Sequence, residues 1–141
     1  MKLDLSSLQK ALLSLERAVR ICGEKLARAE TPAEEAELLK AGVIQNFEFT
    51  YELCWKFIQR WIRENRTPEE ADHPRSRREL FRLAAQYGLI ADPLPWFDYS
   101  EKRNLTSHTY DERTAQTVYE AAVRFLPDAR HLYSKIEECN D

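Results

Sequence analysis

The stretch Arg103-Asn104-Leu105-Thr106-Ser107-His108-Thr109-Tyr110 holds a guanidinium, an imidazole, a phenol and several hydroxyls within eight residues. Arg103 supplies a planar fork of donors that can hold a phosphate and the negative charge that develops on it. His108 supplies an imidazole, a group that can give or take a proton. Asn104 and Ser107 can orient a phosphate or the imidazole ring. The ordinary reading of a polar stretch between two helices is an exposed linker. Against it, the stretch has no glycine or proline, the usual turn formers, and Asp111 or Thr109 can cap the next helix. His108 and Tyr110 would then stand near a helix N-terminus, where anions are favoured.

The elements that must position these groups read as helices throughout. Leu5, Leu8, Leu12, Leu15, Val19, Cys22 and Leu26 form one apolar seam, which predicts a first helix ending near Glu30. Asp4, Ser6 and Ser7 are its alternative caps. Thr31-Pro32 opens a second helix running to about Asn65, with Glu34, Glu35 and Glu37 at its positive end. Phe47, Phe49, Tyr51, Leu53, Cys54, Trp55, Phe57, Ile58, Trp61 and Ile62 do not fit one stripe. That helix is therefore central or shared with another chain, and dimerisation is the expected use of the extra face. Trp55, Phe57 and Trp61 read as core and dimer contact rather than a base-stacking platform.

Residues 66–74 read as a loop, Arg75 to Tyr87 as a short helix stopped by Gly88, and Trp96 to Asn104 as another after Asp92-Pro93. A last helix starts near Asp111 or Glu112, with Pro127 expected to kink or divide it. Glu48 and Glu52 share a face one turn apart and are placed to pair with arginines across the bundle. Arg75, Arg77, Arg78 and Arg82 form a basic run, either a solvated face or a track for RNA or an acidic partner. His73 and His131 read as surface residues. The expectation is one all-α domain over residues 1–141, an antiparallel up-and-down bundle of four to five helices.

Composition narrows the function. Three glycines among 141 residues cannot build a nucleotide-cradling loop of the Rossmann or P-loop type. A net charge of −3 leaves RNA only a local basic patch to meet. The three cysteines are scattered and lack zinc-site spacing, so no metal and no cofactor is expected. No apolar run is long enough for a membrane span and the first residues lack a signal-peptide pattern, so a cytoplasmic protein is expected.

Arg103, His108 and Tyr110, in that order and spacing, resemble the signature of the HEPN family. The aromatic run Phe47 to Lys56, the segment Pro74 to Ile90, Trp96, and Arg103 to Glu112 follow one HEPN branch over about residues 5–136. That branch is the nucleotidyltransferase substrate-binding proteins, encoded beside a minimal nucleotidyltransferase. The resemblance implies a helical homodimer that brings two motifs to a shared cleft. It also implies a metal-independent endoribonuclease toxin with Arg103 and His108 as its catalytic residues. The nucleotidyltransferase is then its antitoxin, in some systems by adding adenylate to the motif tyrosine, here Tyr110. The alternative function is a non-catalytic subunit that binds a nucleotide or substrate for the nucleotidyltransferase. Lys102 departs from the branch's pattern, which has an acidic or neutral residue there. A lysine at that position either strengthens phosphate binding or turns the arginine.

Overall fold

A computed structural model of the chain describes residues 2–72 and 76–140. Among the described residues there are six α-helices: α1 (Ser6–Leu26), α2 (Ala33–Asn65), α3 (Pro68–Asp72), α4 (Arg77–Gln86), α5 (Pro93–Asn104) and α6 (Glu112–Glu138), with a 3₁₀ turn at Thr106–His108. No strand occurs among the described residues.

The all-helical reading holds, and most boundaries fall where local chemistry places them. The Asp4 carboxylate accepts from the Ser6 amide at 3.0 Å and so serves the start of α1. That helix stops at Leu26, short of Glu30, where the Thr31 hydroxyl reaches back 2.7 Å to the Lys25 carbonyl. Pro32 is the residue before α2 rather than its first helical residue, and Glu34 and Glu35 occupy the first turn. Asp92 and Asp111 each accept a backbone N–H, at 3.0 Å, to cap α5 and α6.

Two expectations are corrected. The segment read as a loop contains α3, because Thr67-Pro68-Glu69-Glu70 repeats the threonine, proline and acid order that opens α2. The Thr67 hydroxyl accepts from the Glu70 amide at 3.1 Å, and Ala71 is buried. Pro127 does not divide α6, which continues to Glu138. The bond that Pro127 cannot donate would go to the Val123 carbonyl. Both residues are exposed, so water can serve that carbonyl. Arg75 and His73 lie outside the described residues.

Side-chain pairs between helices fix the directions. Ser14 with Asn46 and Lys25 with Glu35 set α1 antiparallel to α2. Lys40 with Gln116, Phe47 with Phe125 and Trp61 with Cys139 advance together, so α6 runs in the same direction as α2. Between them α4 and α5 form a hairpin, joined by Phe81 against Trp96 and Arg78 against Glu101. It carries the chain from the level of Trp61, where Tyr87 packs, back to Glu52, where Arg103 arrives.

All the other helices touch α2, so its apolar residues face several neighbours at once. Phe47, Tyr51, Cys54, Phe57, Ile58 and Ile62 are buried within the chain itself, which is why they do not fit one stripe. Phe49 alone of the aromatic run stays well exposed. The centre of the core is an edge-to-face cluster in which Phe125 meets Phe47, Trp96 and Tyr99 at 5.1 to 5.5 Å between ring centroids.

Candidate functional site

Arg103 stands in the last turn of α5, where a cation suits the negative end of the helix. Its Nε donates to Glu52 Oε1 at 3.0 Å, and its Nη2 lies 3.8 Å from Glu48 Oε1. Nη1 donates to the Thr106 hydroxyl at 3.2 Å, and that hydroxyl donates to the Arg103 carbonyl at 2.9 Å. The second oxygen of Glu52 accepts from Trp55 Nε1 at 3.0 Å. Glu48 and Glu52 do pair with an arginine across the bundle. The guanidinium is thereby fixed in place, yet its side chain keeps 31% exposure and open N–H groups for an incoming anion.

The segment after Arg103 is polar but not slack. The His108 amide bonds the Leu105 carbonyl at 2.9 Å, the Thr109 hydroxyl bonds the Thr106 carbonyl at 3.2 Å, and Asp111 follows as the cap of α6. These short-range bonds do the work that glycine and proline do in other turns. His108 is exposed, and its ring stands nearly edge-on to Tyr110 at 6.3 Å between centroids. Tyr110 is 86% exposed, so its phenol is open to a second protein. The helix N-terminus beside them is already served by an anion, the Asp111 carboxylate, which accepts from both the amide and the hydroxyl of Thr114. Those hydrogen bonds hold the Asp111 carboxyl below the usual range.

Lys102 does not reach into the site. Its Nζ bonds Asp98 at 2.7 Å, one turn back on α5, and Arg124 of α6 approaches the other oxygen of Asp98 at 3.3 Å. Burial pushes the Asp98 carboxyl up, but the bonds and charges of Lys102 and Arg124 outweigh it and hold the group below the usual range. The lysine therefore leaves the orientation of Arg103 to Glu52 and Thr106.

Two clefts flank the segment. One, of about 420 Å³, is lined by Arg103, Asn104, Tyr51, Glu52, Arg77 and Arg78, among others. Tyr51 is buried there, bonded to the Ser100 hydroxyl at 2.6 Å, and burial pushes its phenol above the ordinary value. The other, of about 740 Å³, runs between α2 and α6 and is lined by Lys40, Gln116, Thr109 and Tyr110, among others. Among the described residues no cluster of three or more His, Cys, Asp or Glu could hold a metal ion, and no helix is long and apolar enough to cross a membrane.

Asn104 is exposed and shares the smaller cleft with Arg103, whereas Ser107 is exposed and bonded to neither Arg103 nor His108. The hydroxyl that holds the guanidinium belongs to Thr106, which sequence reasoning did not single out. Its signal was its spacing, three residues after Arg103 across a helix end. Trp55 was missed as a support of Glu52, although the two are spaced i, i+3 on one face. His131 is exposed, as read.

Comparison with known proteins identifies the family. Residues 3–138 match the family described as nucleotidyltransferase substrate binding protein like. The chain is 33% identical over 139 residues to the probable ribonuclease HepT of Haemophilus influenzae, covering 99% of this chain and 95% of that protein. A Haemophilus influenzae structure, described as the fold of a substrate binding domain of a nucleotidyltransferase, superposes with a TM-score of 0.87 at 32% identity, over 95% of this chain and 99% of that one. A crystal structure from Thermus thermophilus is 31% identical with a TM-score of 0.56, over 88% of this chain and 96% of that one. The chain belongs to the nucleotidyltransferase substrate-binding-like family, in the HEPN branch that its Arg103 to Tyr110 segment resembles.

Proposed function

We propose that this protein is a metal-independent endoribonuclease, a toxin paired with a minimal nucleotidyltransferase that silences it through Tyr110. The observation that carries the reading is the setting of Arg103. Glu52 and Thr106 fix its guanidinium while leaving an open edge, one short turn from an exposed imidazole. RNA brings its own nucleophile. The 2′-oxygen attacks the adjacent phosphorus, the bond to the 5′-oxygen breaks, and a 2′,3′-cyclic phosphate and a 5′-hydroxyl result. His108 takes the proton from the 2′-hydroxyl or gives one to the leaving oxygen, and Arg103 holds the phosphate oxygens as charge builds. One imidazole cannot do both in one step, so a homodimer supplying two His108 rings completes the site. Leu38 and Phe49, three turns apart on one side of α2 and both exposed, support a second chain on that face.

Silencing needs no change of fold. The Tyr110 oxygen attacks the α-phosphorus of ATP on the nucleotidyltransferase, pyrophosphate and a proton leave, and the tyrosine carries an adenylyl group. Its bulk and negative charge beside His108 then exclude RNA. The test is cleavage of a mixed RNA pool in EDTA by protein whose mass shows a free Tyr110. Cutting that His108→Ala abolishes supports the enzyme. Association of two chains is checked by sedimentation, where Phe49→Asp is expected to shift wild-type dimer to monomer.

A second reading has its own observation. Glu48 and Glu52 bring two negative charges to one guanidinium, in a chain of net charge −3. That balance weakens attraction to a long polyanion and suits a binding subunit that presents a substrate to the nucleotidyltransferase. No cutting by unmodified protein, together with tight association with the nucleotidyltransferase, would favour this reading.

A further inference from the structure

The cleft beside Arg103 holds a second guanidinium that the proposed reaction does not use. Arg77, the first residue of α4, is exposed, with its Cζ 3.3 Å from the centre of the Trp55 ring. The Trp55 indole is anchored on Glu52 Oε2, and the other oxygen of the same carboxylate holds Arg103 Nε. One carboxylate thus sets two cations, Arg103 directly and Arg77 through the indole on which it stacks. Stacking uses the face of a guanidinium and leaves its edge donors for a phosphate.

The rest of the basic run is placed differently. Arg78 is paired with Glu101 at 3.4 Å and lies over Phe97. Arg82 also lies over Phe97 and does not line the cleft. Among the described residues no carboxylate stands within ion-pair distance of Arg77. A cleft of about 420 Å³ is the size that holds one small ligand, which fits a single nucleotide unit and not a paired duplex.

We propose that Arg77 binds the phosphate next to the one held by Arg103, so that the substrate is a single strand with at least two consecutive phosphodiesters. This rests on the ribonuclease reading. Arg77 is a specificity residue for strand length, and the scissile bond is left to Arg103 and His108.

The test compares a ribodinucleotide, with one phosphodiester, and a ribotetranucleotide, with three, in EDTA. Arg77→Gln is expected to lower kcat/KM on the tetranucleotide about tenfold, through KM, and to leave the dinucleotide unchanged. Binding of the labelled tetranucleotide to the His108→Ala protein gives a second readout. Adding Arg77→Gln should reduce the slope of log affinity against log salt by about 0.7, as expected for one lost phosphate contact on a single strand. Arg77→Lys should recover part of that slope. Arg60→Gln, whose guanidinium stacks on Phe57 outside the cleft, should change neither readout. Equal losses on both substrates would make Arg77 a structural residue and overturn the proposal, as would no loss on either. Salt-dependent binding that needs Arg77, without any cutting, would sink the ribonuclease reading and leave the phosphate contact standing. Cutting that ignores Arg77 would do the reverse.

Discussion

Glu52→Gln tests the contact on which the whole site depends. The carboxylate accepts from Arg103 Nε and Trp55 Nε1, both at 3.0 Å, through its two oxygens. A glutamine has one acceptor oxygen, so one of those N–H groups then faces an amide NH₂. Hydrogen bonds to charged groups contribute about 1.5–3 kcal/mol, and exposed ion pairs about 1 kcal/mol or less. With the two side chains 31% and 32% exposed, solvent screens part of the interaction, and Glu48 keeps part of the charge neutralised. We expect Glu52→Gln to cost about 1 kcal/mol, a fall in Tm of roughly 3 °C for a chain of this length. Arg103→Ala should cost more, about 2 kcal/mol, because it leaves two carboxylates one turn apart with no cation between them. The double variant should then show a coupling of about 1 kcal/mol. Urea unfolding followed by far-UV circular dichroism, with a common m-value, reads all three. Additive losses, within about 0.3 kcal/mol, would refute the claim that Glu52 holds the guanidinium. On the proposed ribonuclease reading, RNA cleavage by Glu52→Gln should fall more steeply than its stability, since the protein stays folded while Arg103 loses its aim.

Phe125→Ala removes the ring on which Phe47, Trp96 and Tyr99 converge and should cost about 3–5 kcal/mol, read as a lower urea midpoint. Asp111→Ala removes the cap of α6 and should lower Tm at neutral pH. The folded carboxyl lies below its unfolded value near 3.9, so the cap stabilises above that pH and is lost as pH falls through the folded pKa. The gap between variant and wild type should accordingly close in acid below about pH 4. Thiol labelling of the native protein should modify exposed Cys139 quickly and leave Cys22 and Cys54 untouched until urea unfolds the chain. Both are buried, and burial pushes their thiols up, Cys54 most of all.

Much of the scaffold was legible because its signals are local. The seam of α1, the Thr31-Pro32 junction, the Asp92 and Asp111 caps and the Gly88 stop all act within one turn of chain. Arg103, His108 and Tyr110 were legible as a group because one short connection carries them. The pairing of Glu48 and Glu52 with an arginine was foreseen from their shared face, but not which arginine, since that depends on where α5 crosses α2. The same dependence hid Thr106, Trp55 and the difference between Arg77 and its neighbours, which look alike as a charge run. α3 was misread for another reason. Its cap signal was present, but two prolines and a polar composition outweighed it in a segment too short to show a period.

Arg103 and Glu52 are fifty-one residues apart in the chain, whereas α1 and α2 meet across a short connection. Local contacts close sooner than distant ones, so the α1–α2 hairpin can assemble while α5 is still undocked. In that order of assembly Glu48 and Glu52 sit side by side before their cation, Arg103, arrives. The Arg103 site therefore forms late, only once the latter half of the chain has been made and packed.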